Sequence, residues 1–189
     1  MNKYDVIIIG AGPSGIFCAY ELMRQKPDMK VLMIEKGRSI EKRQCPKRTT
    51  KVCVGCKPCS ITTGFAGAGA FSDGKLSLSP DVGGTLPEIL GYEKAEELIK
   101  EADNIYLKFG ADEKVYGIDD YEAIERIRAK AIRANLKLIE CPIRHLGTEE
   151  GYKIYTRLQE HLLASGVEIK FMTMVQDIII EDGVAKGVV

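Results

Sequence analysis

The chain has 189 residues, of which 45% are hydrophobic, and its 27 basic and 27 acidic side chains give a formal net charge of zero. This length suffices for one well-formed core and a small additional subdomain. The charge balance argues against a nucleic-acid binder, which needs a basic surface. No stretch approaches the roughly 18 consecutive apolar residues of a membrane span. The N-terminal segment lacks the apolar region of a signal peptide, so we expect a cytoplasmic protein.

The first predicted element is a buried parallel strand at Asp5–Ile9, a continuous apolar run. It leads directly into GAGPSG, which places Gly10, Gly12 and Gly15 in G-x-G-x-x-G spacing. In this motif the first glycine permits a tight turn, the second lets a pyrophosphate approach the backbone, and the third lets helix and strand pack closely. The helix that follows would direct free amides and its positive dipole end at the phosphates.

A second apolar strand, Val31–Ile34, ends at Glu35, which is 20 residues beyond Gly15. An acidic side chain at this place accepts ribose hydroxyls and disfavours a 2′-phosphate, so NADP is not expected at this site. The intervening helix has one apolar face, formed by Ile16, Ala19, Tyr20 and Met23. Strand, turn, helix and acidic residue together predict a dinucleotide site.

The third parallel strand comes late in the chain. The next crossover helix is predicted at Glu149–Ser165 and its strand at Val167–Met172, more than a hundred residues after Glu35. The apolar face of this helix is formed by Ile154, Leu158, Leu162 and Leu163. A long insertion favours FAD over NAD, because the longer cofactor needs extra loops. The closing TMVQDIII, EDG and VAKGVV predict the start of an antiparallel meander.

Four cysteines lie after the second strand, at Cys45, Cys53, Cys56 and Cys59. Three interpretations remain open. All four could hold an iron–sulfur cluster or zinc, Cys56 and Cys59 could form a C-x-x-C redox pair that exchanges electrons with flavin, or the loop could be thiol-rich without a ligand. Nearby cations that would lower thiol pKa values are Lys47, Arg48, Lys51 and Lys57.

The Gly-rich run GFAGAGAFSDGKLSLS, Gly64–Ser79, predicts a second place where the backbone meets a cofactor. Its polar members are Ser72, Asp73 and Lys75, and KLSLS alternates like a half-buried strand.

Two helices are predicted next, at Glu93–Phe109 and Tyr121–Asn135, the second with a capping box from Asp119 to Glu122. A short strand is predicted at Leu136–Cys141. We therefore expect a discontinuous FAD-binding domain at 1–80 and 142–189, and a mostly helical insertion or cap at 81–141.

His145 lies in a predicted loop before the crossover helix, where it could donate a proton or orient substrate. Lys75 is the second candidate catalytic residue, since a cation beside flavin would tune its charge. His161, Cys18 and Cys141 lie on predicted helices or at a strand end, and we interpret them as structural.

The sequence resembles the N-terminal part of a group of uncharacterised bacterial FAD-dependent dehydrogenases, within the glutathione-reductase-type flavoprotein superfamily. The matching stretches are IIIGAGPSG, VLMIEKG, the Cys-rich run leading into GFAGAGAFSDGKL, RHLGT and FMTMVQDI. GAGAFSDGKL is specific to this family, whereas the first two are shared across the superfamily.

The resemblance implies an α/β fold: a Rossmann-like parallel sheet that binds FAD. It assigns the ADP half of FAD to the first turn and second strand, adenine to the backbone of Val175, and the pyrophosphate and flavin to the Gly-rich loop. The residues implied at the cofactor are Gly10, Gly12, Pro13, Ser14, Gly15, Glu35, Lys36, Gly37, Arg38, Gly67, Gly69, Ser72, Asp73, Lys75 and Val175.

Two superfamily segments, a later Ala-Thr-Gly-like turn and a C-terminal Gly-Asp segment, do not occur in the chain. We therefore expect a C-terminal truncation that holds FAD weakly or not at all, which stoichiometric flavin after gel filtration would contradict.

The predicted activity is that of an FAD-dependent oxidoreductase that passes hydride or electron pairs between flavin and a small organic substrate or electron carrier. Use of NAD(P)H as electron donor stays open. The alternatives are a thiol–disulfide oxidoreductase that uses Cys56 and Cys59, and a non-catalytic flavin and iron–sulfur electron-transfer module. A flavin-dependent tRNA modifier is disfavoured by the balanced charge.

Overall fold

A computed structural model describes residues 3–189 of the chain. The chain divides into two compact units, the first made of residues up to Ser72 together with Gly151–Val189, the second of Asp73–Glu150. Residues 73–80 and 142–150 thus lie in the same unit as 81–141. None of the helices within residues 3–189 combines the length and apolar character needed to cross a membrane.

The first unit is built on a parallel sheet of order β1-β2-β6. Val6 pairs with Val31 and Leu32 with Glu168, so both ladders are in parallel register. The α/β fold with a parallel sheet, predicted from apolar runs and crossover helices, is confirmed. The elements are β1 (Val6–Ile9), α1 (Pro13–Gln25), β2 (Val31–Ile34), α2 (Lys47–Thr50), α6 (Thr148–Ala164), β6 (Glu168–Lys170), β7 (Ile178–Glu181) and β8 (Val184–Val188), with 3₁₀ turns at Ile40–Lys42 and Gly67–Phe71.

The buried face of α1 is formed by the four residues predicted from its periodicity: Ile16, Ala19, Tyr20 and Met23. Helix α6 likewise buries Ile154, Leu158 and Leu162. The prediction for Leu163 is wrong, because this side chain is 48% exposed. A 3.6-residue period directs neighbouring positions 100° apart, so only one of two adjacent leucines faces the core.

The closing segment forms the predicted antiparallel hairpin of β7 and β8, with Ile178 opposite Val188. All four residues of β7 are exposed, including Ile180. Strand β7 therefore contributes no buried side chain, whereas Gly187 and Val188 of β8 are half-buried.

The second unit has an antiparallel sheet of order β3-β5-β4 and three helices. Its elements are β3 (Lys75–Ser77), α3 (Leu86–Leu90), α4 (Tyr92–Lys108), β4 (Val115–Tyr116), α5 (Tyr121–Arg133) and β5 (Ile143–His145). Helix α5 buries none of its residues.

Two local predictions in this unit are wrong. The strand expected at Leu136–Cys141 is not a strand, because β3 and β4 supply their hydrogen bonds to Ile143–His145 instead. The N-cap of α5 is Asp120 rather than Asp119, since the Asp120 carboxylate accepts from the Ala123 amide at 2.8 Å. In both cases the sequence offers two neighbouring candidates, two short apolar segments for one strand and two adjacent aspartates for one helix cap, and does not distinguish between them.

A buried ion pair joins α4 to β5 within the second unit. The Arg144 guanidinium donates to both oxygens of Asp103, Nε to Oδ1 at 2.5 Å and Nη2 to Oδ2 at 2.8 Å. Its Nη1 donates to the carbonyl of Asp112. The hydrogen bonds to Asp103 raise the pKa of Arg144 above its ordinary value. Both charges are buried away from water, so each compensates the other. Removal of either one would leave an unpaired buried charge, which destabilises the unit.

We expect Asp103→Asn to lower the free energy of unfolding by about 3 kcal/mol, because it leaves a buried guanidinium without its counter-charge. The matched control is Glu97→Gln, which removes an exposed ion pair with Lys94 on the same helix and should cost less than about 1 kcal/mol. Urea unfolding followed by circular dichroism measures both. Equal losses for the two variants would contradict the structural role of the buried pair.

Candidate nucleotide-binding site

The turn between β1 and α1 has the geometry that its glycines predict. Gly10 has a φ of +98°, and its amide donates to the Ile34 carbonyl at 2.8 Å, which ties the turn to the end of β2. A Cβ built on Gly15 would lie 2.1 Å from the Gly10 carbonyl oxygen. Only glycine fits at that position, because no real Cβ approaches a backbone atom so closely.

Gly12 differs, since a Cβ built on it would meet no atom within 4 Å. Gly12 is the extended N-cap of α1, Pro13 occupies the first turn, and no side chain caps the helix. The first helical hydrogen bond runs from the Ile16 amide to the Gly12 carbonyl at 3.0 Å. The N-terminus of α1 thus offers backbone donors beside open space, the arrangement that a pyrophosphate requires. Pro13 and Ser14 are both exposed.

Glu35 is buried and fixed at the end of β2. One carboxylate oxygen accepts from the Ala11 amide at 2.8 Å and the other from the Gly37 amide at 2.7 Å. The sequence predicts that this side chain accepts ribose hydroxyls. Each carboxylate oxygen has a second lone pair, so the two backbone bonds orient the group without using its full acceptor capacity.

The Gly-rich loop packs against this turn within the first unit. The Ala66 amide donates to the Ala11 carbonyl at 2.7 Å, and a Cβ built on Gly67 would lie 3.7 Å from the Cα of Gly12. Gly37 and Gly64 are in contact, since a Cβ on Gly37 would fall 2.4 Å from the Gly64 nitrogen. Close backbone approach therefore brings three loops together at the carboxyl ends of β1 and β2.

Arg43 holds the loops in place, and sequence reasoning missed it. Its guanidinium is buried and donates to four carbonyl oxygens, those of Ser60, Ile61, Phe65 and Gly67. Burial lowers its pKa, which Glu35 and Cys59 oppose. In sequence Arg43 belongs to a basic run that resembles a solvated surface, so nothing marked it as buried.

The other cofactor candidates of the first unit lie around these loops. Lys36 and Arg38 are exposed, and the Arg38 carbonyl accepts from the Phe65 amide at 2.9 Å. Val175 is half-buried beyond Thr173, whose amide donates to the Glu35 carbonyl at 3.1 Å. Gly69 lies beside Tyr155, and the exposed Ser72 hydroxyl donates to the Gly69 carbonyl at 3.2 Å.

Lys75 and His145 lie in the second unit, directly opposite each other on β3 and β5. Both are exposed, and Lys75 forms an ion pair with Asp73 at 3.1 Å. The ring of His145 meets that of Tyr116 edge to face, with centroids 6.4 Å apart. His145 is therefore the last residue of a strand rather than part of a loop. The pairing brings together the two residues that the sequence singled out separately.

His161 of α6 packs against Tyr20 of α1, with ring centroids 5.5 Å apart.

All six cysteines are free thiols. Within residues 3–189 no group of three or more His, Cys, Asp or Glu side chains is placed to hold a metal ion. The structure thus does not bring Cys45, Cys53, Cys56 and Cys59 together as a ligand set, and these residues do not fit a cluster or zinc. The amides of Thr62 and Ile61 lower the pKa of the exposed Cys59 thiol, with smaller help from Arg43.

Comparison with known proteins agrees with this geometry. Residues 1–41 match the Thi4 family. A thiamine thiazole synthase from Coprinopsis cinerea is 52% identical over 33 residues, which are 18% of this chain and 10% of the relative. The family match spans β1, α1 and β2, the segment that forms the nucleotide turn.

Three solved structures share the fold over nearly the whole chain. They are 3-ketosteroid-Δ4-(5α)-dehydrogenase from Rhodococcus jostii RHA1 (TM-score 0.55, 18% identity, 98% of this chain and 41% of that one), L-amino acid deaminase from Proteus vulgaris (0.54, 12%, 100% and 44%), and glycine oxidase from Bacillus cereus ATCC 14579 (0.52, 18%, 98% and 51%). The chain spans about half the length of these proteins or less. At such identity the likeness shows the fold.

The two glycines predict opposite defects. Gly15→Ala should destabilise the first unit by at least about 2 kcal/mol, because its methyl group would overlap the Gly10 carbonyl. Gly12→Ala should leave the unfolding transition nearly unchanged yet weaken ADP binding about tenfold or more, because its methyl group would enter the open space before the helix. Urea unfolding and ADP calorimetry measure the two effects. Full ADP affinity in Gly12→Ala would place the nucleotide elsewhere.

Proposed function

We propose that the chain is the cofactor-binding part of an FAD-dependent oxidoreductase. The observation that carries this proposal is the open N-terminus of α1, whose amides face free space at Gly12 while Glu35 is fixed beside it at the end of β2. The three structures that share the fold are an oxidase, a dehydrogenase and a deaminase, which supports an oxidoreductase over a plain nucleotide-binding module.

In this proposal the backbone of the first unit binds the ADP half of FAD. The amides near Ser14 and Gly15 would hold the pyrophosphate, and the Glu35 carboxylate would accept ribose hydroxyls. Gly67 would contact the cofactor beside Gly12, and the backbone of Val175 would meet the adenine. When bound, the flavin would supply two-electron chemistry, while these residues fix its position.

Lys75 and His145 are proposed to act on the flavin or the substrate. Their side-by-side position on β3 and β5 gives one exposed strand end both a cation and an imidazole. A lysine there would stabilise negative charge on the reacting partner, and the imidazole would donate or accept a proton. The substrate is proposed to be a small organic molecule or an electron carrier, with NAD(P)H as one candidate donor.

The match to thiamine thiazole synthase suggests a more specific function, thiazole synthesis. The residues that match the Thi4 family, 1–41, include the nucleotide turn, and such a turn occurs in proteins of many activities. They therefore support nucleotide binding only. The broader oxidoreductase proposal is supported by this match together with the likeness in fold.

The proposal predicts that FAD and ADP compete for one site on the chain. FAD fluorescence quenching should report binding, ADP should displace FAD, and NADP should fail to do so, because Glu35 repels a 2′-phosphate. Gly12→Ala serves as the control for the site and should lower the affinities for FAD and ADP by the same factor. Absence of binding by both FAD and ADP to folded protein would overturn the proposal.

The roles of Lys75 and His145 are tested on the FAD-loaded protein. Lys75→Ala should lower the flavin midpoint potential by about 30 mV, equivalent to about 1.4 kcal/mol for two electrons. His145→Ala should change the pH dependence of that potential. Ser77→Ala, on the same strand β3, is the control and should change neither. Unchanged potentials in the first two variants would remove both residues from the site.

A second candidate function is thiol–disulfide exchange by Cys56 and Cys59. It is favoured by the exposed position of Cys59 and by the amides of Thr62 and Ile61, which lower the pKa of its thiol. The Cys59 thiolate would attack a substrate disulfide and release one thiol. Cys56 would then displace the second thiol and leave a Cys56–Cys59 disulfide, and the two electrons that reopen it would come from the flavin.

This candidate predicts a Cys56–Cys59 disulfide in dithiothreitol redox buffers, formed within about −300 to −180 mV. Alkylation and peptide mass analysis detect it, and Cys53 should stay alkylated as the internal reference. Cys59→Ser should leave Cys56 alkylated in every buffer. Random pairing among all three cysteines, or none, would exclude the exchange mechanism.

A further inference from the structure

A second cavity lies on the first unit, apart from the Gly10–Gly15 turn. Its volume is about 420 Å³, within the size range of small-molecule sites. Three cations line it, Arg38, Lys42 and Lys57, and two half-buried thiols, Cys45 and Cys56. None of its lining residues is acidic. The cavity thus presents positive charge and thiols without a compensating carboxylate.

The segment that builds this cavity is the most basic part of the chain. Between residues 36 and 72 there is one acidic side chain, Glu41, in a chain that is neutral as a whole. The basic residues in this segment are Lys36, Arg38, Lys42, Arg43, Lys47, Arg48, Lys51 and Lys57. Only Arg43 among them is buried, in a structural role. The other seven are exposed.

Among residues 3–189 no ion pair involves Arg38, Lys42 or Lys57. Uncharged hydrogen-bonding groups complete the wall, from Gln44, Thr49 and Ser60. Side chains of this kind bind a phosphate or carboxylate group, because charged donors make the stronger hydrogen bonds to such acceptors.

We propose that this cavity is a separate binding site for a small organic anion, whose phosphate or carboxylate lies among Arg38, Lys42 and Lys57 and whose remaining part contacts Cys45 and Cys56. The site goes beyond the proposed FAD function: it shares no residue with the Gly10–Gly15 turn, and of the residues implied at the cofactor it contains only Arg38. A concave site lined by one sign of charge concentrates anions and speeds their encounter about tenfold or more.

The test compares an anionic with a neutral thiol reagent on the wild-type chain. Iodoacetate and iodoacetamide alkylate the same sulfur with loss of iodide but differ in charge. The ratio of their rates at Cys56, normalised to the ratio at exposed Cys18 of α1, should be about ten at low salt. It should fall towards one in 0.5 M NaCl, because salt screens these charges. Inorganic phosphate should slow iodoacetate at Cys56 but not at Cys18.

Matched variants test whether the normalised ratio at Cys56 is due to the cations that line the cavity or to the basic segment as a whole. Lys57→Gln and Arg38→Gln should each reduce the normalised ratio at least about twofold. Lys51→Gln, in the same basic segment but outside the cavity, should leave it unchanged. A normalised ratio near one in the wild-type chain would overturn the proposal.

ADP distinguishes the second site from the nucleotide site. Any slowing of iodoacetate at Cys56 by ADP should be equal in the wild-type chain and in Gly12→Ala, because it would come from ADP phosphates bound in the cavity itself. Protection by ADP that disappears in Gly12→Ala would make the cavity part of the nucleotide site and overturn the inference, while FAD binding itself would still stand.

Discussion

The first unit depends on one residue, Glu35, which connects the ends of all three parallel strands. Its amide donates to the Lys170 carbonyl at the end of β6, and its carbonyl accepts from the Thr173 amide. Its carboxylate binds the Ala11 amide after β1 and the Gly37 amide after β2. A buried carboxylate with two charge-assisted bonds to backbone amides is strongly oriented. Together with the hydrogen bond from the Gly10 amide to the Ile34 carbonyl, this side chain fixes the nucleotide turn relative to the sheet.

Arg43 completes the arrangement with the opposite charge. Its guanidinium binds four carbonyl oxygens and so fixes the end of the cysteine loop to the start of the Gly-rich loop. The fixed fork of an arginine suits this work, because a lysine has three donors on one atom and could not reach four separated carbonyls. Glu35 and Arg43 thus hold the nucleotide turn, the cysteine loop and the Gly-rich loop through their backbone groups. These loops are rich in small residues, which offer few side-chain contacts of their own.

The sequence predicted those elements whose signal lies within a short segment. The apolar runs of β1 and β2, the face of α1 and the glycine spacing are local, so the parallel sheet and its turn followed from them. The strand expected at Leu136–Cys141 failed because a strand also needs a partner, and β3 and β4 pair with Ile143–His145. Arg43 was missed for the same reason: burial of a charge is decided by distant carbonyls. The juxtaposition of Lys75 and His145 likewise arises from pairing across 70 positions.

The two candidate sites of the first unit differ in how they would recognise a ligand. The nucleotide turn uses backbone amides, whose positions are fixed by the helix and by Glu35, so it selects the shape of a pyrophosphate at little entropic cost. The cavity uses exposed lysine and arginine side chains, which lose rotamer freedom when they bind. Such a site selects charge rather than shape and accepts a range of anions. Arg38 differs from the two lysines in one respect: its carbonyl accepts a hydrogen bond from the Phe65 amide, while its side chain lines the cavity. Because its backbone is held by this hydrogen bond, the Arg38 side chain extends into the cavity from a fixed position.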